Sequence, residues 1–144
     1  MTAELALRPF REDDLDALDW AEDGFISDAA TAVAFTVDDV MAGMASWEAA
    51  DRGGPPGGCY ETGLTLLPEY RGRGLGTAAH RLIVAHLFAN TRVHRLEAFT
   101  DGENVAEQKT LERLGFRREG VMREVIWRNG SWRDEVIYAL FRES

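Results

Sequence analysis

The sequence predicts an α/β domain, and three observations predict it. Period-two alternation marks several short stretches, among them ELALRPF, AVAFTV and CYETGLTLL. A run with helical spacing begins at Leu75, between two such stretches. The C-terminal third closes with two alternating segments joined by Asn129-Gly130, the strongest short hairpin signal. The 144 residues suit a single domain, 1–144, with a real core.

The elements follow in order. ELALRPF is a first strand, ended by proline, and Arg11 to about Trp20 is expected as an acidic helix with Leu15, Leu18 and Trp20 facing inward. AEDGFISDAAT is a short connector. Ala32–Val37 is a second strand, Asp38-Asp39 a turn, and Val40 to about Ala49 a third strand. DRGGPPGG is a loop, because four glycines and two prolines support neither helix nor strand. CYETGLTLL is a fourth strand that stops at Pro68. From Leu75, apolar residues recur at Ala78, Ala79, Leu82, Ile83 and Leu87, a helical stripe. HRLEAFT is a strand, Asn104–Leu114 a helix stopped by Gly115, and FRREGVMREVIWR and SWRDEVIYALF are the closing strands.

Composition narrows the function. Apolar residues make up 45% and charged residues 28%, an ordinary globular balance. The formal charge of −9 argues against nucleic acid or an anionic membrane as partner, and is compatible with a cationic substrate. No apolar run approaches a membrane span, and MTAELALRPFREDD lacks a secretory pattern, so the expected location is cytoplasmic. Cys59 is the single cysteine, which excludes an internal disulfide. His80 and His86 lie on the predicted helix without clustered ligands, and His94 precedes a strand, so no metal site is expected.

The stretch YRGRGLGTAAHRL raises the functional question. Gly72, Gly74 and Gly76 precede or open a helix whose first N–H groups lack intrahelical partners, an arrangement suited to an anion. Arg71 and Arg73 add charge. No lysine follows the glycines as in the GxxxxGK[ST] nucleotide loop, and GxGxxG is absent.

The pattern Arg71-x-x-Gly74-x-Gly76 resembles the coenzyme A pyrophosphate loop of the GNAT superfamily of N-acetyltransferases. NVAEQKTLERLGFRREG is similar to the family's second signature, and GSWRDEVIYALFR resembles the last strand of the branch with ribosomal-protein N-terminal acetyltransferases and small-molecule relatives. The resemblance covers nearly the whole chain. It implies a mixed, mostly antiparallel central sheet with helices on both faces, acetyl-CoA as donor and a small-molecule or peptide amine as acceptor, with direct attack in a ternary complex.

Carried onto this sequence, the resemblance places the pyrophosphate on Arg71, Gly72, Arg73, Gly74, Leu75, Gly76 and Thr77. It sets the pantetheine arm beside backbone groups of Leu66 and Leu67, where the fourth and fifth strands splay, and against Asn104, which also reads as a helix N-cap. An alkyl amine is only roughly a thousandth deprotonated at pH 7, a penalty of about 4 kcal/mol, so a carboxylate base is needed. Glu61 is the first candidate; it shares a strand face with Gly63 and Thr65. The family's usual tyrosine acid is replaced by Leu111. Glu107 is a second catalytic candidate, and it also sits where a capping-box glutamate would pair with Asn104, the role favoured here. Cys59 has no histidine partner in sequence and is a weak candidate nucleophile.

In this family the acceptor wall comes from the segment between the first two strands and from the final hairpin. The first of these is short here, which predicts an open site or one completed by a second subunit of a homodimer. Ile126, Trp127 and the Asn129-Gly130 hairpin are the remaining candidate acceptor wall; Trp47, Trp127 and Trp132 read first as packing residues on strands, with Trp47 and Trp127 as candidate acceptor-binding residues. A non-catalytic acyl-CoA-binding or sensor module with the same fold is the alternative reading.

Overall fold

The computed structural model describes residues 2–17 and 31–143. Its strands are β1 (Leu5–Arg8), β2 (Thr31–Val37), β3 (Val40–Ala49), β4 (Cys59–Leu66), β5 (Arg95–Asp101), β6 (Arg117–Arg128) and β7 (Ser131–Phe141). Its α-helices are α1 (Leu75–Asn90) and α2 (Val105–Arg113). The strands form one sheet in the order β1-β2-β3-β4-β5-β7-β6. Every pairing is antiparallel except β4 with β5.

That parallel pair is short. β4 and β5 stay in register only from Cys59↔Arg95 to Thr62↔Ala98. Beyond this point β4 continues along β3 to Leu66↔Gly43, and β5 continues along β7 to Asp101↔Glu135. The two central strands therefore diverge at Gly63 and Phe99, and a gap opens in the middle of the sheet.

Both α-helices pack on one face of the sheet. Ile83 and Leu87 of α1 and Leu111 of α2 meet Leu96, Ala98, Val136 and Tyr138 in the main core. Each such aliphatic side chain, fully buried, contributes roughly 1.5–3 kcal/mol relative to exposure. α1 ends where Thr91 Oγ1 donates to Leu87 O and the Arg142 guanidinium donates to Phe88 O, Thr91 O and Val93 O, which satisfies the last carbonyls. α2 ends at Gly115, whose φ of 94° is the left-handed stop expected there. The Asn129-Gly130 turn has φ of 51° and 77° at its two residues, as a two-residue hairpin requires.

The acidic helix expected after β1 is, in its described part, the 3-10 helix Glu12–Ala17. Asp14 explains the tight turn. Its carboxylate accepts from the Arg11 backbone N–H and from the Arg8 guanidinium, and these bonds hold its pKa down at about 2. The side chain of Leu15, then Leu18, Trp20 and most of the connector preceding β2 lie outside the described residues. On the second face of the sheet, Phe10 and Tyr70 pack on Ala34, Met41, Met44 and Leu67.

Candidate active site

The glycine stretch shapes the first half of the site. Gly72 and Gly74 adopt φ of 75° and 74°, conformations that L side chains rarely take. Gly74 is the N-cap of α1 and supplies no side-chain acceptor to the first amides. A Cβ built at Gly72, Gly74 or Gly76 meets nothing within 4 Å. Space, unoccupied amides and the positive end of a helix thus converge, and these residues fit a phosphate group. The space continues as a groove of about 620 Å³ between α1 and α2, lined by Gly74, Gly76, Thr77, Asn104, Lys109 and Arg113 among others.

Backbone alternation links the groove to the gap in the sheet. Leu67 N donates to Ala42 O on β3, so by alternation the N–H groups of Leu66 and Leu64 both point away from that strand and into the gap. Leu66 O faces the same way and accepts from Arg71 Nε at 3.0 Å. Leu67 is corrected as a cofactor-contacting residue: its N–H is held by Ala42, its carbonyl accepts from Tyr70 N, and its side chain is buried in the core. Arg73 lies over the Tyr70 ring and Leu75 packs against the core around Phe35, so neither side chain lines the groove.

On the far side of the gap lies a cleft of about 430 Å³. Glu48, Glu61, Glu135 and Asp101, on β3, β4, β7 and β5, all line it, with Arg128 of β6 at its edge. These carboxylates differ in their partners. Asp101 is buried within 3.1 Å of Arg133 Nε and 3.5 Å of Arg128. Glu97, directly beneath Glu61 in register, is fully buried; burial pushes its pKa up, but bonds from Arg52, Arg95 and the Cys59 thiol outweigh this and hold it at about 2. Glu48, Glu61 and Glu135 have no ion pair among the described residues. Desolvation, then the charges of Glu48, Glu135 and Glu97, raise the pKa of Glu61. Desolvation likewise raises Glu135, against the pull of Arg128.

The acceptor-wall expectations divide. Ile126 lines the cleft. Trp47 does not: alternation puts it on the helix-bearing face, where it packs on the main core with its ring 5.3 Å from His86, while its neighbours Ser46 and Glu48 face the cleft. Trp127 also points elsewhere, exposed and edge-on to Trp132 at 5.3 Å. Cys59 is buried and its thiol is pushed up by that burial, next by Glu97, which leaves it inert as a nucleophile.

Asn104 caps α2, its Oδ1 accepting from Glu107 N at 3.1 Å, and it lines both groove and cleft. The capping box favoured for Glu107 does not form. Asn104 N donates to Asp101 O instead, and the Glu107 carboxylate reaches His80 Nε2 at 2.7 Å. Sequence reasoning missed His80, because its partner is 27 residues away on another helix. It also missed Lys109 and Arg113, although their spacing of four residues on one helix face was a usable signal. Among the described residues no cluster of His, Cys, Asp and Glu could hold a metal ion, and no helix is long and apolar enough to cross a membrane.

The model of the acetyltransferase (GNAT) domain matches residues 19–117, well over half of the chain. The chain belongs to the GNAT acetyltransferases. It is 31% identical over 84 residues to an uncharacterized N-acetyltransferase of Bacillus subtilis, a match covering 58% of this chain and 49% of that protein. It is 29% identical over 79 residues to the spermidine N(1)-acetyltransferase of Escherichia coli K12, covering 55% of this chain and 42% of that enzyme. These matches span about half the length of the curated relatives. A ribosomal L7/L12 alpha-N-protein acetyltransferase solved with coenzyme A shares the fold, with TM-score 0.70, 22% identity and coverage of 78% of this chain and 62% of that one.

Proposed function

We propose that this GNAT chain transfers the acetyl group of acetyl-CoA to a primary amine borne by a molecule with further positive charge. One observation carries the reading: the gap between β4 and β5 joins a groove lined by Lys109, Arg113 and helix-start amides to a cleft lined by Glu48, Glu61 and Glu135. An anionic ligand suits one side and a cationic ligand the other, in a chain of net charge −9. The spermidine enzyme among its relatives is in keeping with such an acceptor.

Bound acetyl-CoA supplies an activated thioester. The amides of Gly74 to Thr77, with Lys109 and Arg113, hold its phosphates. The N–H groups of Leu64 and Leu66 direct donors at a carbonyl oxygen in the gap, a contribution of about 3–4 kcal/mol when such a donor is well placed. Glu61, raised toward neutral pH by its surroundings, takes the proton of the attacking amine, directly or through water. Glu48 and Glu135 attract the cation and keep Glu61 basic.

The test is release of the CoA thiol from acetyl-CoA across a panel of primary amines, with acetyl-CoA affinity measured separately. Cationic amines should be turned over, and Glu61→Gln should lower kcat/KM about 10²–10⁴-fold while acetyl-CoA affinity holds. Tight acetyl-CoA binding with no turnover of any amine would point instead to a non-catalytic acyl-CoA-binding module.

A further inference from the structure

We propose that Glu107, backed by His80, delivers the proton to the departing thiol sulfur, an inference that rests on the transferase reading above. Glu107 is the titratable residue that lines both the groove and the cleft, so it stands at the junction where donor and acceptor meet. Its Oε1 lies 2.7 Å from His80 Nε2. His80 is 3% exposed and sits one turn along α1 from Gly76, within the helix that opens at the glycine stretch. Its other ring nitrogen, Nδ1, is buried without a partner among the described residues.

A histidine placed only for packing does not need a carboxylate at 2.7 Å, and a pair placed only to tie α1 to α2 does not need to line the reaction cleft. That tie is already provided beside it, where the hydroxyls of Thr77 and Thr110 meet at 3.5 Å. A buried imidazole whose one partnered nitrogen meets a carboxylate fixes where that carboxylate points, here into the junction of groove and cleft.

The step balances as follows. The amine nitrogen attacks the thioester carbonyl carbon, the C–N bond forms, and Glu61 takes the amine proton. As the C–S bond breaks, the sulfur keeps the bonding pair and takes a proton from Glu107. Glu107, which faces the open cleft, then recovers a proton from solvent, and Glu61 releases its own to solvent, leaving amide and thiol. His80 Nε2 holds the Glu107 carboxyl at the junction, so His80 acts through Glu107 and is a positioning residue. The other charged groups lining the same cleft are Glu61 on β4, Glu48 on β3, Asp101 on β5, Glu135 on β7 and Arg128 on β6.

The experiment follows the imidazole nitrogens of the full-length, 15N-labelled protein. There are three histidines, and His80→Asn identifies the resonances of His80 by their loss. Titrations with pH are recorded with coenzyme A bound and with desulfo-coenzyme A bound, which differ at the thiol. The His80 curve should differ between the two, and Glu107→Gln should erase that difference. The same variant should lower kcat at least tenfold with little change in amine KM, and Glu107 can be altered without touching the cap, which uses its backbone N–H. Identical His80 curves, with Glu107→Gln and His80→Asn at full kcat in a chain that does acetylate amines, would overturn this role of Glu107 and leave the transferase reading standing. Absence of turnover in the unaltered protein would overturn both.

Discussion

Glu48 and Glu61 stand directly opposite each other on β3 and β4, two carboxylates paired across one antiparallel ladder on the cleft-facing side of the sheet. Like charges in this position are destabilising. Burial first, and then the charge of Glu48, raise the pKa of Glu61, so the wild-type fold gives up stability as pH rises through that raised value and the Glu61 charge appears. Glu48→Gln is therefore expected to stabilise the protein by about 0.2–1 kcal/mol at pH 7. Urea unfolding checks this, and the gain should vanish at pH 3, where Glu61 is protonated and the repulsion is gone.

The same pair sets the pH dependence of the reaction. A base with a raised pKa fails on the acid side earlier than an ordinary glutamate, so kcat/KM should fall as pH drops through a value above the usual carboxylate range. Removing the charge of Glu48 relaxes the pKa of Glu61, and the acid limb should move to lower pH in Glu48→Gln. Glu135→Gln should move it in the same direction. A limb that stays in place in both variants would remove Glu61 from the role of base.

The groove makes an independent prediction. Lys109 and Arg113 are exposed on α2 and line it with the glycines. Lys109→Glu combined with Arg113→Glu should weaken acetyl-CoA binding at least tenfold in calorimetry, with a weaker salt dependence than wild type. Stability should change by less than about 0.5 kcal/mol, as for surface substitutions in general.

Acid stability rests on two buried carboxylates outside the proposed chemistry. Asp14 and Glu97 are both held at about 2, by Arg8 and the Arg11 amide in one case and by Arg52, Arg95 and Cys59 in the other. Depressed carboxylates stabilise the fold above their unfolded values near 4, and the benefit is lost as pH falls through about 2. The urea midpoint should fall steadily between pH 4 and 2. Glu97→Ala, which leaves two arginines facing a buried void, should cost about 3–5 kcal/mol at pH 7 and flatten that fall.

Much of the fold was legible because the decisive signals are local. β3 begins and ends as read, α1 starts at Leu75, and Gly115 and Asn129-Gly130 do what such residues do in any chain. The glycine stretch was legible for the same reason, since φ near 75° and an uncapped helix start are properties of a few adjacent residues. The acidic helix after β1 was legible as a helix but not as a 3-10 one, because Arg8 reaches Asp14 across a loop. Trp47 packs, as the first of its two readings had it, and neither Trp47 nor Trp127 lines the cleft; an aromatic on a strand announces burial or contact without saying on which face, and the face depends on where the two helices pack. His80 with Glu107, and the convergence of Glu48, Glu61 and Glu135, depend on sheet order and helix crossing, which no local pattern carries.

Leu111 shows how a departure from the family pattern can be read once the structure is known. Leu111, which the resemblance set where the family's usual tyrosine acid stands, is fully buried and packs in the main core. Leu111→Tyr should destabilise by about 1–3 kcal/mol through overpacking. It should also leave the pH profile of acetylation unchanged, since a buried hydroxyl at that site does not line the cleft.

The central claim is that an acidic cleft presents a cationic amine to a thioester held by a basic groove. It is tested most directly by comparing kcat/KM for a linear diamine and for a monoamine of equal length, at low and high salt, in wild type and in a Glu48→Gln/Glu135→Gln double variant. The account predicts that the diamine is preferred at least tenfold by wild type at low salt, and that the preference collapses at high salt and in the double variant. Equal constants for the two amines, unchanged by salt or by the variant, would contradict it.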